Sequence, residues 1–371
     1  MMDKPLNAVF LGSGRCFHTM DWFRSCGRLT ATPPVFITDN YGREGFAPLL
    51  RETDSVRELL IIDSLLPKRA SSLGHKWRNL LKLALIPIQI VKLRRTLRDL
   101  RQPFVFAHST YYAFLASFCD VPYCATPQGS EVLVRPQASR FYRYLLTRSV
   151  RHASFVTVDS VAMAGALQRL TRVTPRIVQN GIDVSKIGES PTSSARTLVT
   201  SIRGLASNYR IVEIIEGRNQ AAPAAGLNFS FPFSERDYFQ KIEAMLGQSD
   251  VLHRGLSREL LYEVFRQSVC VISIPKSDSS PRSVYEAIFC GAAVICTYAP
   301  YIDALPSCMR SRIVLVDISD PSWFLEGLNR GHKISAETFV PSTEALDLFD
   351  QLSSMRMCLN IAAAQRNSGG V

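Results

Sequence analysis

The stretch 273–297 predicts a strand, a polar loop, a short helix and a second strand. The apolar run Val269–Ile274 before the loop is typical of a buried parallel strand. Ser280 is predicted as the N-cap of the helix, with Pro281 at the first helical position and Gly291 where the helix stops. This order of elements belongs to the α/β class of folds.

The start of the predicted helix is suited to binding an anion. The helix Pro281–Cys290 directs unpaired backbone N–H groups and a partial positive charge at its N-terminus. Asp278 and Glu286 lie eight positions apart beside it, and carboxylates accept hydrogen bonds from ligand hydroxyls. The ligand is therefore predicted to carry both phosphate and hydroxyl groups, although a polar helix start in an ordinary α/β unit explains the pattern equally well. Side chains that add donors or positive charge here are Ser279, Ser280, Arg282 and Ser283.

Length and composition indicate a soluble globular protein of two domains. The chain has 371 residues, 46% of them apolar and 20% charged. No apolar run reaches about 18 residues, so no spanning helix is expected. The N-terminus lacks a signal-peptide layout. Nine Cys without a CxxC pair favour buried thiols in a reduced cytoplasm and make a zinc site unlikely to exist.

The net charge of +11 is concentrated in one segment. Residues 67–103 contain ten Lys or Arg and one acid, Asp99, and so carry nearly all of it. The segment is helical in character, and Pro87 is predicted to divide it into two short helices. Leu93, Leu97 and Leu100 follow helical spacing with basic residues on the flanks, which predicts a basic amphipathic pair lying on an anionic membrane. Solvated charges over a packed apolar face are the alternative. A nucleic-acid site is less favoured because the basic residues alternate with Leu and Ile rather than with exposed aromatics.

The first part of the chain predicts the opening of a doubly wound parallel sheet. The strand Ala8–Leu11 is followed by a glycine turn containing Gly14, then by a helix and a second strand. His108 follows the strand Phe104–Ala107, and strand ends line the ligand crevice in such sheets. Gly129 follows a later strand, where it lets backbone N–H groups approach a ligand or simply makes a turn. Both residues are therefore candidates for a cleft, with a structural role as the alternative for each.

The domain boundaries follow from a linker. The segment 186–194 is rich in Gly, Ser, Thr and Pro. We therefore predict an N-terminal domain at 1–187 and a C-terminal domain at 188–345, followed by a helical tail at 346–371.

The stretch around Glu286 resembles the carboxylate signature of family-4-type retaining glycosyltransferases (glycosyltransferase group 1) with the GT-B fold. The family pattern has an acid, seven residues and a Glu, then Ala, two or three apolar residues and Gly. Glu286, Ala287 and Gly291 match it, and Asp278 stands where most members have Glu. The resemblance implies two Rossmann-like doubly wound domains facing across a cleft, with the tail bracing the first. It also implies that Glu286 holds the nucleotide ribose and that Asp278 faces the donor sugar.

Further segments resemble the family in the same order along the chain. His18 stands in a "His-Thr, two residues or fewer, Trp" helix start, and Gln128 replaces the ring that the family carries before Gly129. Arg203 stands where the family's Arg binds the donor pyrophosphate. The family's following Lys is missing, so either Arg210 supplies the second charge or nothing does.

The resemblance implies a retaining transferase that moves a sugar from a nucleotide-sugar donor to a lipid-linked saccharide, as in bacterial surface polysaccharide assembly. We expect a cytoplasmic protein peripherally bound to the inner face of the membrane, with no nucleic-acid partner. No Asp-x-Asp pair occurs, so neither a metal nor a cofactor is expected. The expected catalytic residues are Asp278, Glu286 and Arg203. The expected donor contacts are Ser279, Ser280, Arg282, Ser283, Val284, Arg210, Gly14 and Gly129, and the acceptor-side residues are His18, His108 and Gln128.

Two alternatives to a glycosyltransferase remain open at this point. A sugar-nucleotide 2-epimerase shares the GT-B fold, but a soluble small substrate does not require the basic segment 67–103. A non-catalytic nucleotide-sugar-binding protein is compatible with Asp278 in place of Glu and with the missing Lys.

Overall fold

A computed structural model describes residues 6–39, 50–59, 72–187, 196–278 and 280–368. The chain forms two compact units. Unit 1 comprises Met1–Asn180 together with Gln351–Val371, and unit 2 comprises Gly181–Asp350. Ser279, residues 67–71 of the basic segment and residues 188–194 of the predicted linker lie outside the described residues.

Unit 1 is built on a seven-stranded parallel sheet with the order β3-β2-β1-β4-β5-β6-β7. Its strands are β1 (Asn7–Leu11), β2 (Val35–Thr38), β3 (Val56–Glu58), β4 (Pro103–His108), β5 (Tyr123–Thr126), β6 (Phe155–Val158) and β7 (Arg176–Ile177). The strand order reverses between β1 and β4, as in doubly wound folds. Polar side chains that follow these central strands therefore lie at the edge where such folds bind ligands.

Helices cover both faces of this sheet. They are α1 (Phe17–Leu29), α2 (Ser72–Arg98), α3 (Thr110–Ala116), α4 (Gly129–Leu133), α5 (Arg135–Ala138), α6 (Arg140–Arg151), α7 (Val161–Thr171) and α15 (Gln351–Ser368). Alternate residues of β1 point to opposite layers, because side chains alternate along a strand. Val9 and Leu11 pack in the layer that holds α2, α3, α6 and α7, whereas Phe10 packs with α1 and α15. The C-terminal helix α15 thus packs on the same sheet as the first helix.

Helix α2 differs from its prediction. It runs unbroken from Ser72 to Arg98 with Pro87 inside it, so the predicted division into two short helices is wrong. Pro87 cannot donate to the carbonyl of Leu83, but both residues lie on the exposed side, where water can hydrate that carbonyl. Leu93 and Leu97 are buried in the core and hold the helix against the sheet. Within the described ranges, no helix is long and apolar enough to cross a membrane.

Unit 2 is built on a six-stranded parallel sheet with the order β10-β9-β8-β11-β12-β13. Its strands are β8 (Leu198–Ser201), β9 (Leu227–Phe231), β10 (Val251–Arg254), β11 (Ser268–Ser273), β12 (Ala293–Cys296) and β13 (Ile313–Leu315). Its helices are α8 (Ile211–Ala221), α9 (Arg236–Glu243), α10 (Arg258–Gln267), α11 (Arg282–Phe289), α12 (Ser307–Arg310), α13 (Trp323–Ser335) and α14 (Thr343–Phe349). The order reverses between β8 and β11, so the loops after these two strands meet at the ligand-binding edge. The predicted architecture of two doubly wound α/β units is confirmed.

Candidate active site

The loops after β8 and β11 bring three of the predicted residues together in unit 2. The Arg203 guanidinium donates from Nε to Ser273 Oγ at 2.9 Å and from Nη1 to Ser283 Oγ at 3.1 Å, and its Nη2 forms an ion pair with Asp278. It also lies over the Tyr209 ring, 5.4 Å from the centroid. Burial lowers the pKa of Arg203 from its ordinary value, but an arginine remains charged at neutral pH. The result is a fixed cation beside the N-terminus of α11.

The two loops are also joined to each other through their backbones. The Lys276 N–H donates to the Asn208 carbonyl at 2.8 Å, and Asn208 Nδ2 donates to the Ser277 carbonyl at 3.2 Å. Asn208 occupies the place where the sequence lacks the family's Lys. Its contacts make it a structural link between the loops, so the second loop is held beside Arg203.

Glu286 lies one helical turn further along α11 and is almost fully buried, with 3% of its surface exposed. Its Oε1 accepts from Arg258 Nη1 at 2.6 Å, Arg282 Nε at 3.1 Å and the Tyr262 hydroxyl at 3.2 Å. Its Oε2 accepts no hydrogen bond from the part of the chain that the structure describes. One carboxylate oxygen is thus anchored while the other can accept a hydrogen bond from a ligand hydroxyl.

Sequence reasoning missed Arg258, Tyr262 and Ser273. Arg258 and Tyr262 are four residues apart on α10, which places them on one face of that helix, but nothing in the sequence shows that this face meets α11. Ser273 is the last residue of β11, and its position at a strand end was the available signal.

The start of α11 also differs from its prediction by one residue. Pro281 is the N-cap, Arg282 is the first helical residue, and no side-chain cap is present, so the predicted Ser280 cap is wrong. Ser280 Oγ instead lies 3.5 Å from the Tyr285 hydroxyl. Proline has no side-chain acceptor, so Pro281 itself cannot cap the helical N–H groups with its side chain.

Two of the other predicted donor contacts lie away from this cluster. The Val284 side chain is buried in the core, and its N–H donates to the Pro281 carbonyl at 2.8 Å. Arg210 is the N-cap of α8 in a left-handed conformation (φ 52°), and the Arg203 side chain makes its hydrogen bonds with Ser273, Asp278 and Ser283 instead. The structure thus brings Arg203, Asp278, Ser283, Arg282 and Glu286 to one end of α11 and leaves Val284 in the core.

A pocket of about 160 Å³ opens in unit 1 at the carboxyl ends of β4, β5 and β6. It is lined by His18, His108, Thr126, Pro127, Gln128, Gly129, Asp159, Val178 and Asn180. Four sequence-predicted residues, His18, His108, Gln128 and Gly129, are therefore in one place. Gly14 is not among the lining residues, and its N–H donates to Thr38 Oγ1 at 3.2 Å.

The wall of the pocket is held by a network of buried polar groups. The His108 ring is 5% exposed and meets the Trp22 ring edge to face, with centroids 6.1 Å apart. Trp22 Nε1 donates to the Asn180 carbonyl at 3.1 Å. The Gln128 N–H donates to Glu131 Oε2 at 3.0 Å, which positions the start of α4.

Two titratable groups at this pocket were not predicted from the sequence. Burial raises the pKa of Asp159 to about 6, although the charge of His108 opposes that rise. Burial would also raise the pKa of the Cys16 thiol, but a hydrogen bond and the charge of His108, together with contacts from Thr19, lower it to about 6. Gln128 Nε2 lies 3.6 Å from Cys16 Sγ. Asp159 directly follows β6 and His108 is the last residue of β4, so the same strand-end signal applied to both.

No metal-ligand cluster is found in the described ranges, in which no three His, Cys, Asp or Glu side chains could jointly hold an ion.

A family model described as a glycosyl transferase 4-like domain matches residues 35–181. These residues include most of unit 1 and the pocket residues from His108 to Asn180. Comparison with curated proteins gives no match.

Solved structures with the same architecture include HepE, a trehalose-phosphate synthase and a galactosyltransferase. HepE from Anabaena, in complex with UDP, has a TM-score of 0.73 at 13% identity, and 97% of this chain and 100% of that chain are covered. A UDP-forming α,α-trehalose-phosphate synthase from Burkholderia vietnamiensis has a TM-score of 0.66 at 14% identity, with 99% and 100% covered. The lipopolysaccharide outer core galactosyltransferase WaaB has a TM-score of 0.63 at 11% identity, with 97% and 100% covered. The chain therefore has the GT-B glycosyltransferase fold of two Rossmann-like units, and it resembles the family-4-type glycosyltransferases through its glycosyl transferase 4-like domain.

Proposed function

We propose that this protein is a retaining glycosyltransferase that moves a hexosyl or related group from a nucleotide-sugar donor to a saccharide acceptor. The observation that carries the proposal is the polar cluster at the start of α11, where Arg203, Asp278 and Ser283 meet one turn from Glu286. A cation, a helix N-terminus and two carboxylates together match a ligand with a diphosphate and several hydroxyls. The solved relatives bound to UDP or UDP-glucose make uridine nucleotides the first donors to test.

Unit 2 holds the donor in this proposal. Arg203, Arg282 and the N-terminus of α11 neutralise the diphosphate, which gains charge as it departs. Glu286 accepts from the ribose through Oε2, and Asp278 orients the sugar. The bond between the anomeric carbon and the diphosphate oxygen breaks, and the acceptor oxygen bonds to the same face of that carbon. The acceptor proton passes to the departing phosphate, so no protein base is assigned.

The Arg203–Asp278 ion pair has a consequence for this mechanism. The diphosphate must share the Arg203 guanidinium with Asp278 or displace it. A displaced Asp278 carboxylate becomes available to the sugar hydroxyls, so diphosphate binding and sugar recognition are linked through one side chain.

The acceptor is proposed to be lipid-linked, with unit 1 lying on the inner face of an anionic membrane. The outer side of α2 supports this proposal because apolar and basic residues share it. Ile88 and Val91 are 54% and 48% exposed, and Lys92, Arg95 and Arg98 are exposed as well. Apolar side chains that enter the headgroup region, flanked by cations, are the pattern of interfacial helices. An acceptor of bacterial surface polysaccharide assembly fits such a location.

The donor proposal is tested with a panel of nucleotide-sugars and Arg203→Ala. Mass spectrometry should detect binding or slow hydrolysis of one donor by the wild-type protein. Arg203→Ala should weaken nucleoside diphosphate binding roughly ten- to a hundredfold and leave nucleoside binding nearly unchanged, because only the diphosphate carries the charge that Arg203 meets.

Arg236→Ala is the matched control, since Arg236 is exposed at the start of α9 in the same unit. Equal losses for nucleoside and nucleoside diphosphate would assign Arg203 a structural role. Binding of no nucleotide-sugar by the wild-type protein would contradict the proposed function.

A further inference from the structure

Asp159 lines the unit 1 pocket, and the mechanism above gives it no role. It follows β6 directly, and Ser160 after it is the N-cap of α7, so its backbone is fixed on both sides. Its carbonyl accepts from Gln179 Nε2 at 2.7 Å. The carboxyl group therefore has a defined position at the carboxyl edge of the sheet.

The Asp159 carboxylate is incompletely hydrogen-bonded. Oδ2 accepts one long hydrogen bond from Asn180 Nδ2, at 3.4 Å. Oδ1 is buried and has no hydrogen-bond partner among the described residues. An ionised carboxylate has about four acceptor positions, and leaving one oxygen buried and unpaired is costly. Such a group in a folded protein indicates a hydrogen-bond donor that is missing from the protein itself.

The residues around Asp159 indicate which class of ligand could donate a hydrogen bond to its carboxylate. The His108 imidazole lies close enough to influence both the Asp159 carboxyl group and the Cys16 thiol. Gln128 and Asn180 add neutral amide groups to the lining, and His18 is the remaining titratable group there. An anionic ligand would meet the Asp159 charge without a dedicated counter-charge, whereas a hydroxyl can donate to it. Amides beside a carboxylate are well suited to neighbouring hydroxyls of a sugar ring.

We infer that Asp159 determines acceptor specificity, with its Oδ1 accepting a hydrogen bond from a hydroxyl of a neutral sugar bound in the unit 1 pocket. The identity of the ligand as a saccharide rests on the proposed function. The role of Asp159 rests on the pocket and on its unpaired oxygen. Sugars that carry a phosphate or carboxylate at this position are excluded.

The first experiment measures sugar binding to the full chain by saturation-transfer NMR. The probes are millimolar glucose, galactose and mannose, with their 6-phosphates and glucuronic acid as anionic counterparts. At least one neutral hexose should bind, and the anionic sugars should not. Asp159→Asn keeps the shape of the side chain and should weaken that binding roughly ten- to a hundredfold, because it removes a hydrogen bond to a charged acceptor. Asp99→Asn is the control, since Asp99 is 71% exposed in the same unit.

The second experiment uses the native Cys16 thiol as a reporter. Cys16 contacts two pocket-lining residues, His108 and Gln128, so a bound sugar should slow its alkylation by iodoacetamide. Peptide mapping distinguishes Cys16 from the other thiols. In Asp159→Asn, Cys16 should still be alkylated, which shows that the pocket is folded, but the sugar should no longer protect it.

The outcomes separate this inference from the proposed function. Failure of every neutral hexose to bind, equal binding by Asp159→Asn, or preference for the anionic sugars would overturn the inference, even if UDP binds normally to unit 2. Failure of UDP and all nucleotide-sugars to bind, with sugar binding intact, would overturn the proposed function and leave the pocket's preference for neutral sugars in place.

Discussion

At the scale of single residues, the environment of Glu286 changes what its removal should do. Its Oε1 receives hydrogen bonds from two guanidinium groups and a phenol, so Glu286 compensates positive charge inside unit 2 in addition to its proposed role toward the ribose. Removing the carboxylate leaves Arg258 and Arg282 with less compensation, which destabilises the unit. A loss of activity in Glu286→Ala alone would therefore mix two effects.

Glu286→Gln removes the charge alone, because it keeps an acceptor oxygen and the side-chain shape. We expect it to fold and to bind nucleoside diphosphate roughly tenfold more weakly, since a hydrogen bond to a charged group is worth about 1.5–3 kcal/mol. Calorimetry measures the affinity, and thermal unfolding measures the stability. Unchanged affinity in a folded Glu286→Gln protein would remove Glu286 from the ribose site. Ribose dependence is checked by comparing UDP with its 2′-deoxy form.

The Cys16 thiol gives a pH prediction at the same scale. Its pKa of about 6 lies below the ordinary value of 9.0, because burial, which raises it, is outweighed by the hydrogen bond and charge of His108 together with hydrogen bonds from Thr19. The thiolate is the nucleophile, so iodoacetamide should alkylate Cys16 at a rate that rises through pH 6 and is level by neutral pH. The folded state binds fewer protons than the unfolded state between about pH 6 and pH 9, so this group adds stability as the pH rises through that window and loses it on acidification.

Cys26 is the matched comparison, because burial raises the pKa of its thiol to about 12. It should stay unmodified in the folded protein across the same pH range. His108→Gln should move the Cys16 reactivity profile to higher pH. An unchanged profile in that variant would show that His108 does not stabilise the thiolate.

At the scale of secondary-structure elements, the positions of strands were easier to predict from the sequence than the contacts between helices. Buried parallel strands are apolar runs followed by turn residues, and this local signal placed β11, α11 and β12 to within a residue or two. The same signal located His108 and Arg203 at or just after strand ends, and it placed Asp278 in the loop before α11 and Glu286 on the second turn of that helix. Helix packing decides which helices meet around Glu286. The contacts of Arg258 and Tyr262 with Glu286 therefore could not be predicted from the spacing of residues in the sequence. The effect of Pro87 likewise depended on which side of α2 is exposed.

Arg312 shows how buried cations hold element ends together in unit 2. Arg312 is 3% exposed, and its Nη1 donates to the Ile334 and Glu337 carbonyls at 2.7 and 2.9 Å, at the end of α13. Its Nη2 donates to the Gly291 carbonyl after α11. Burial, with the charge of Arg196, lowers the pKa of Arg312 to about 10, so it stays charged at neutral pH. One side chain thus satisfies carbonyls at two helix ends.

Arg312→Met should destabilise the protein by about 3–5 kcal/mol, because it leaves buried carbonyls unpaired while keeping apolar volume. Thermal or denaturant unfolding measures the change. Arg330→Met is the control, since Arg330 is exposed and makes one hydrogen bond, to the Leu315 carbonyl at 3.3 Å. Equal stability of the two variants would show that the Arg312 hydrogen bonds contribute little. Unit 1 serves as an internal reference, because its pocket thiol should keep its reactivity if only unit 2 is weakened.

At the scale of the whole molecule, the charge distribution is the property that fold alone does not explain. Leu93 and Leu97 hold α2 against the core, whereas the basic residues near the C-terminal end of the helix are mostly exposed. Arg94 is the exception, since it donates to the Phe118 carbonyl and pairs with Asp120 at 3.7 Å. Exposed Lys92, Arg95 and Arg98 are therefore the residues whose charge can be reversed without disturbing the core.

The wild-type protein should pellet with anionic vesicles at low salt, should ignore neutral vesicles, and should be released by salt. Replacing Lys92, Arg95 and Arg98 by Glu should weaken vesicle binding roughly a hundredfold or more, since each basic residue near the surface contributes about 1 kcal/mol. UDP binding should survive in this variant, because no changed residue lies in unit 2.

The matched control reverses three exposed basic residues of unit 2, Arg236, Lys241 and Arg254, and changes the net charge by the same amount. If binding follows net charge alone, both triple variants lose it equally and α2 has no special role. If the α2 variant alone is released, the outer side of α2 is the contact, and its exposed Ile88 and Val91 become the next residues to replace. If the wild-type protein ignores anionic vesicles at low salt, the membrane proposal is wrong. A soluble saccharide then becomes the better acceptor, and the donor site of unit 2 is unaffected by that result.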